Sequence, residues 1–166
     1  MTVKFSIERS KKEDAPGIIK LVNDESKRSG AVLRISEHDV SKWRKSGFSI
    51  VAKAQGGQII GHLSAYIWPE SKWIEFRSSV VKPQYRGNGI NSSLTKKMME
   101  LVSKKYKNST LVAFTNKAGA GQGTLLSVGF TEADYNTLPE ELFSIGPKYR
   151  GKKEFGYKIF TYFGKF

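Results

Sequence analysis

Apolar and polar residues alternate at both ends of the chain, in residues 3–7 and in residues 157–163. A period of two residues is that of a strand with one buried face, so a strand is predicted at each end. Residues 48–54 and 58–68 flank Gln55-Gly56-Gly57, which predicts two strands joined as a hairpin. The remaining predicted strands are residues 73–81 and 111–115.

Apolar residues three and four positions apart predict helices between these strands. Ser10 or Asp14 can cap the first helix, and Ser36 opens the second, which runs to about Lys45. Two more helices are predicted, one from Ile90 and one over residues 118–128. Two segments are less regular: residues 31–35 fit a short strand or a loop, and residues 131–151 are rich in turn residues.

The order of these elements predicts the fold class. Helices lie between strands, but the early strands form hairpins. We therefore expect an α/β (α+β) fold with a mixed, mostly antiparallel central sheet and helices on both faces. The chain has 166 residues and no repeat, linker or low-complexity run, so a single domain, residues 1–166, is predicted.

One segment combines a strand end, a glycine turn and a helix start. The apolar strand stops before Pro83, Gly87 and Gly89 follow, and an amphipathic pattern begins at Ile90. Glycines permit a sharp turn and a close backbone approach, and the first amides of a helix are unpaired donors at its positive end. The segment therefore predicts a phosphate site. It is neither a P-loop nor a dinucleotide fingerprint, because the required Gly-Lys-Ser/Thr and third glycine are absent.

The same segment resembles the acetyl-CoA loop of the GNAT N-acetyltransferases, whose pattern is Arg/Gln-x-x-Gly-x-Gly/Ala. Arg86-Gly-Asn-Gly-Ile-Asn91 matches it between Pro83 and Leu94, and Gln84 offers a second register. The order of predicted elements is similar to the GNAT fold along nearly the whole chain, including Gly129-Phe130 after the late helix. Asn91 departs from the pattern, because it puts a larger side chain where the pyrophosphate approaches. That side chain would either weaken cofactor binding or donate a hydrogen bond from its amide to the pyrophosphate.

This resemblance implies acetyl-CoA as co-substrate and no metal. It places the acetyl carbonyl against backbone amides at Ser79, Val80 and Val81, where the strand bulges and the pantetheine extends the sheet. The other implied cofactor contacts are Arg86, Gly87, Asn88, Gly89, Ile90, Asn91, Ser92 and Asn116.

Glu75 is the candidate general base. It stands eleven residues before Arg86, a spacing at which several members of the resembled family carry a catalytic glutamate. Strand alternation predicts that Glu75, Arg77 and Ser79 share one face. A carboxylate on a mostly apolar strand is costly unless paired, so a structural ion pair with Arg77 is the alternative role.

The proton donor and the acceptor are less clearly marked. Leu125 occupies the position at which the resembled family often has its acidic tyrosine, which leaves Tyr135, Tyr149 or water as alternatives. Short segments around Arg34 and Arg77 are similar to small amino-acid N-acetyltransferases, including short N-acetylglutamate synthases. Both arginines are therefore candidates to bind a carboxylate of the acceptor. The alternative role of Arg34 is a surface contact of its loop, and that of Arg77 is an ion pair with Glu75.

The composition indicates the cellular compartment in which the protein is expected and the kinds of partner it could bind. The chain has no cysteine and no apolar run of about eighteen residues, so a cytoplasmic protein without a membrane anchor is expected. His38 and His62 lack metal-ligand spacing, and each is expected to be a surface or a satisfied core residue. The net charge of +13 fits an anionic ligand, RNA or a solvated helix face.

These observations favour an enzyme, an acetyl-CoA-dependent N-acetyltransferase that acts on a primary amine, such as that of an amino acid or another small carboxylate-bearing amine. Two alternatives are a non-catalytic GNAT-fold module that binds CoA or RNA, and a protein or peptide N-acetyltransferase. Either a monomer or a homodimer fits the sequence.

Overall fold

The computed structural model of the chain describes residues 3–69, 71–115, 121–134, 136, 138 and 158–163. Within these ranges it has seven strands and four α-helices. The strands are β1 (Phe5–Arg9), β2 (Ser49–Ala54), β3 (Ile59–Ile67), β4 (Trp73–Val81), β5 (Thr110–Thr115), β6 (Thr131–Ala133) and β7 (Lys158–Tyr162). The helices are α1 (Ala15–Ser29), α2 (Glu37–Ser46), α3 (Ile90–Ser103) and α4 (Gly121–Ser127).

All seven strands form one sheet in the order β1-β2-β3-β4-β5-β7-β6. Neighbouring strands are antiparallel except β4 and β5, which run parallel. The pairing of β4 with β5 ends at Phe76 and Ala113. Beyond that point the second half of β4 has no paired strand on its β5 side within the described residues, and the two strands separate. The predicted mixed, mostly antiparallel sheet is confirmed.

Helices cover both faces of the sheet. On one face, α3 contributes Ile90, Leu94, Met98 and Val102 to the largest buried cluster, which also includes Phe76 and Phe130. On the other face, α1 and α2 pack on Val51 and Val80. The lysines of α3 project away from this core, as its amphipathic pattern predicts.

Local sequence signals explain where the helices begin and end. Ser36 caps α2 by accepting from the amide of Asp39, and the Asp39 carboxylate accepts from the amide of Ser36. Gly47 ends α2 with a φ of 82°, a conformation that glycine adopts without strain. Pro16 lies in the first turn of α1, where its missing N–H costs nothing.

Most predicted boundaries agree with the structure to within about two residues, the usual uncertainty of such ends. Residues 31–35 form a loop, which settles the alternative left by the sequence. The three-residue strand β6 lies in the segment expected to contain only turns. It was missed because three residues are too few to establish a period of two. Residues 116–120, which include the predicted start of α4, lie outside the described residues.

The predicted alternation along β4 is wrong after Arg77. Ser64 of β3 pairs with Arg77, but His62, two residues earlier, pairs with Val80, so β4 contains one extra residue. This β-bulge turns Ser79 away from the face of Glu75 and Arg77, and the Ser79 hydroxyl contacts Asn91 of α3 instead. Within the described ranges, no helix is long and apolar enough to cross a membrane.

Candidate active site

An open cleft of about 810 Å³ occupies the space where β4 and β5 separate. The loop after α1, the helix α2, the second half of β4, the glycine turn and the starts of α3 and α4 all contribute to its walls. After the role that the sequence predicts for it, we call the part lined by residues 78–81, 85–87 and 89–92 the cofactor half. The part formed by Arg34, Lys42, Tyr66, Glu75 and Arg77 is the acceptor half.

The glycine turn has the geometry that an anion site requires. Gly87 and Gly89 have φ values of 78° and 71°, and a Cβ built on either would meet nothing within 4 Å. Gly89 caps α3, and the first turn of that helix holds no acidic residue. The amides of Ile90, Asn91 and Ser92 have no partner inside the helix, and they line the cleft at the positive end of its dipole. This arrangement suits a phosphate.

Arg86 is held against α1. Its Nε donates to the carbonyl of Val81 at 3.0 Å, and one terminal nitrogen donates to Glu25 Oε2 at 2.9 Å. Glu25 also accepts two hydrogen bonds from Arg28 and one from Ser29. The glycine turn is therefore fastened to α1 through an ion pair between residues that are distant in sequence.

Glu25 was not among the predicted site residues. Its burial alone raises the pKa of the carboxyl, but hydrogen bonds from Arg28 and Ser29 and the charge of Arg86 outweigh that effect and lower the pKa. A signal was available in the sequence, because Glu25 continues the apolar stripe of Ile18, Leu21 and Val22. A carboxylate on a buried helix face needs a partner.

The asparagines of the turn have different roles in the structure. The Asn88 side chain donates to the carbonyls of Tyr85 and Arg86, both at 3.1 Å, and does not line the cleft. Asn91 lines it, and its Oδ1 accepts from the Ser79 hydroxyl at 2.7 Å. The Asn91 side chain is therefore tied to β4. Asn116 lies outside the described residues.

The bulge in β4 is supported by two side chains of β3. Ser64 Oγ donates to the carbonyl of Arg77 at 3.0 Å, and His62 Nδ1 lies 3.1 Å from the carbonyl oxygen of Ser78. Ser78 has a φ of 52°, and no other non-glycine residue in the described ranges has a positive φ. The bulge therefore contains local strain that these contacts offset, beside a cleft that Ser78, Ser79, Val80 and Val81 line.

The acceptor half brings together most of the predicted polar residues. A terminal nitrogen of Arg77 lies 2.5 Å from Glu75 Oε2, and the Glu75 side chain is only 4% exposed. The guanidinium of Arg77 also covers the ring of Tyr66, 4.2 Å from its centroid. Arg34 lies on an exposed loop in the cleft wall and has no ion pair within the described part of the chain.

Lys42 and Tyr66 were missed by the sequence analysis. The Lys42 ammonium lies 5.3 Å from the centroid of the Tyr66 ring, so the ring is near two cations. Neither residue belongs to a recognisable motif, and α2 meets β3 only in the folded chain.

The structure also describes position 125, at which the resembled family often has its tyrosine. Leu125 is buried on α4 and lines the cleft. Thr115 lines the cleft too, but its hydroxyl oxygen is buried and has no hydrogen-bond partner among the described residues. Tyr135 and Tyr149 lie outside the described residues. In the same described part of the chain, no three histidine, aspartate or glutamate side chains converge as a metal site would require.

Comparison with known proteins gives one family match and many similar structures. Residues 18–121 match the profile of the acetyltransferase (GNAT) family. No curated protein sequence matches the chain. N-acetylglutamate synthase from Neisseria gonorrhoeae, in complex with coenzyme A and N-acetyl-glutamate, is 18% identical with a TM-score of 0.75. The alignment covers 97% of this chain but only 35% of the synthase.

Two further structures match over almost their whole length. Rv2747 from Mycobacterium tuberculosis, in complex with CoA and NLQ, is 18% identical with a TM-score of 0.77, and the alignment covers 96% of this chain and 99% of that one. Ribosomal-protein-alanine N-acetyltransferase from Brucella melitensis is 20% identical with a TM-score of 0.72, with 96% and 99% covered. At such identities these structures establish the shared fold.

Proposed function

The chain belongs to the acetyltransferase (GNAT) family, and on that basis we propose that it transfers the acetyl group of acetyl-CoA to the primary amine of a small molecule that also carries a carboxylate. One observation carries the proposal. A single cleft joins the unpaired amides at the start of α3 to Glu75, a buried carboxylate of β4 that forms an ion pair with Arg77.

The cofactor half supplies the binding of acetyl-CoA. The free amides at the start of α3 would bind the pyrophosphate, and the glycines leave the space in front of them open. The pantetheine would then follow the unpaired edge of β4, as the family resemblance implies. That path directs the thioester towards the amides beside Ser79. Similar structures in complex with CoA or with acetyl-CoA support this co-substrate.

The acceptor half supplies charges suited to an amino acid. Arg34 and Lys42 have no ion pair within the described ranges and line the cleft, so both can receive a carboxylate. Arg77 is positioned between Glu75 and Tyr66 and adds a third positive charge. A polycationic acceptor would meet repulsion from these groups at short range, where salt screens little.

Glu75 is the proposed proton acceptor. The attacking amine must lose a proton to form the amide, and a buried carboxylate in the cleft can receive it directly or through a water molecule. The ion pair with Arg77 holds the Glu75 carboxylate in the cleft wall, where it can accept a proton from an ammonium group bound beside it.

A protein N-acetyltransferase is the second candidate, favoured by the likeness to a ribosomal-protein-alanine N-acetyltransferase. A peptide N-terminus would need an open acceptor half, and Arg34 and Leu33 are exposed at its rim. A module that binds CoA or RNA without catalysis is the third. The net charge of +13 is the observation in its favour.

A substrate screen separates these candidates. Release of free CoA thiol from acetyl-CoA would be followed with amino acids, polyamines, aminoglycosides and peptides with free N-termini. We expect the highest kcat/KM for an amino acid with an acidic or amide side chain. A polyamine or aminoglycoside as the best substrate would contradict the charge argument, and a peptide as the best substrate would favour the second candidate. No turnover, together with RNA binding that weakens steeply with salt, would favour the third.

Two variants test the assigned groups. Arg77→Lys should raise KM for the amino acid, because lysine cannot bind a carboxylate with two parallel hydrogen bonds. Lys42→Ala should raise the same KM, while Lys45→Ala, which alters an exposed residue of the same helix outside the cleft, serves as its control. Equal effects of the two lysine variants would remove Lys42 from the site.

A further inference from the structure

His62 is a fully buried residue at the centre of a polar chain that ends at the bulge. Its ring stacks on Trp43 with centroids 5.8 Å apart. Nε2 lies 3.2 Å from Ser49 Oγ, which in turn accepts from Ser10 Oγ at 2.7 Å. Nδ1 lies 3.1 Å from the carbonyl oxygen of Ser78. These contacts connect Ser10, the residue after β1, with β2, β3 and β4.

The partners determine which nitrogen carries the proton. A carbonyl oxygen can only accept, so Nδ1 of His62 must be the donor to Ser78. Ser49 already accepts from Ser10, and its own hydroxyl hydrogen is available for Nε2. Burial favours the neutral ring that this pattern needs, and it lowers the pKa of His62 to about 4.

The bond to Ser78 fixes the direction of the next amide. In a planar trans peptide the C=O and the following N–H point in opposite directions. The carbonyl of Ser78 is directed at the imidazole, so the amide of Ser79 points away from it. Ser78 and Ser79 both line the cleft, and Ser79 is exposed there.

We propose that His62 is a positioning residue for acetyl transfer, which holds the Ser78–Ser79 peptide so that the Ser79 amide donates to the oxyanion formed from the thioester carbonyl. The proposal rests on the proposed function above, and it assigns His62 no contact with the substrates. A tetrahedral oxyanion forms when the amine attacks, and a donor that is already oriented stabilises it without reorganisation.

The strain at Ser78 explains why such a support is needed. A serine with a φ of 52° would relax if the neighbouring contacts were removed, because non-glycine residues disfavour that conformation. Relaxation would rotate the peptide and redirect the Ser79 amide. Ser64 supports the preceding peptide at Arg77, so it provides a matched comparison within the same bulge.

Three variants test the proposal. His62→Leu removes the donor to Ser78. His62→Asn retains it, because the Asn amide nitrogen stands close to the place of Nδ1. Ser64→Ala removes the neighbouring hydrogen bond to Arg77. For each variant, kcat, KM for acetyl-CoA, the Kd for CoA and the Tm would be measured with the best amine of the screen.

We expect His62→Leu to lower kcat by at least about tenfold, a fraction of the about 10²–10³-fold loss typical when an oxyanion donor is removed. The Kd for CoA should stay nearly constant, and His62→Asn should restore most of kcat. Ser64→Ala should lower the Tm but leave kcat much less affected. A kcat for His62→Leu close to that of the wild type, or equal losses of kcat in the Leu and Asn variants, would overturn the proposal.

An NMR measurement separates this proposal from the proposed function. The resonance of the Ser79 amide would be followed in the wild type and in His62→Asn, and His62→Leu would be added if it folds. We expect this resonance to move in the Leu variant and to return in the Asn variant, even if no amine is acetylated. Two results would refute the positioning role. One is a Ser79 amide resonance that does not move in a folded His62→Leu. The other is a Ser79 amide resonance of His62→Asn that lies where acid unfolding of the protein places it.

Discussion

Acidification between pH 7.5 and pH 5 should destabilise the fold through His62. Burial lowers the pKa of this imidazole from 6.5 to about 4, although the hydrogen bond to Ser78 acts in the opposite direction. The unfolded chain therefore takes up a proton at a higher pH than the folded chain does. In the folded chain the His62 ring contacts Trp43, Ser49 and Ser78. These residues are uncharged, so none of them offsets the cost of a buried imidazolium.

The size of the effect follows from the two pKa values. The full stabilisation by the neutral ring is present above the unfolded pKa of 6.5 and is lost as the pH falls towards about 4. At about 1.4 kcal/mol for each tenfold change in proton affinity, the total loss is about 3 kcal/mol. By the same linkage relation it reaches about 1 kcal/mol at pH 5.5 and about 2 kcal/mol at pH 5. Typical domains have about 5–15 kcal/mol in total, so the change is measurable.

Urea unfolding at pH 7.5, 6.5, 5.5 and 5 provides the assay, with His62→Asn as the control. The wild type should lose stability across this range, whereas the variant should be nearly insensitive to pH. Carboxylates contribute at lower pH, because the pKa values of Glu25 and Glu100 are lowered from 4.5. Equal slopes for the two proteins would refute the reasoning, since the loss would then come from other groups.

Three further outcomes are expected. Gly89→Asp should abolish CoA binding in calorimetry, because it puts a carboxylate at the phosphate site and a side chain at a φ of 71°. Glu25→Gln should bind CoA a few-fold more tightly at low salt but unfold at a lower temperature. It keeps an acceptor for Arg86 while removing a negative charge from the cleft wall. Deletion of residues 157–166 should prevent folding, measured by circular dichroism, because β7 buries Ile159 and Phe160, each worth about 2–3 kcal/mol. A truncated chain that stays folded and only loses RNA binding would support the basic-module alternative.

Local patterns were sufficient to predict six of the seven described strands, the helices and the glycine turn. The signals are short-range: alternation in β1 and β7, a capping serine before α2, and two glycines before α3. The glycine turn and the start of α3 could therefore be located from the sequence, because the chemistry of a helix end depends on consecutive residues. The acceptor half depends on contacts across the sheet, and Tyr66 and Lys42 meet only after β3 and α2 have packed.

The bulge in β4 was implied by the family resemblance and is confirmed, but alternation did not indicate it, and the side chains that support it carried no sequence signal. A register shift is invisible in Arg77-Ser-Ser-Val80, since serine fits either face of a strand. His62 belongs to no motif, and of the two expected environments, the surface or the core with its polar atoms paired, the structure shows the second. Its partners Ser49 and Ser78 lie 13 and 16 residues away, on two different strands.

The cleft follows from how the sheet meets its hydrogen-bonding requirement. Every backbone donor and acceptor needs a partner, and β4 satisfies its β5 side only as far as Phe76. Beyond it, the bulge turns two carbonyls towards Ser64 and His62, which satisfies them within the protein. The opposing amides of these peptides then have no strand to bind within the described residues. An extended ligand chain entering between β4 and β5 would complete the pairing. The same divergence that interrupts the sheet therefore leaves an open edge on β4, along which, under the proposed function, the pantetheine would extend and the Ser79 amide would meet the reacting carbonyl.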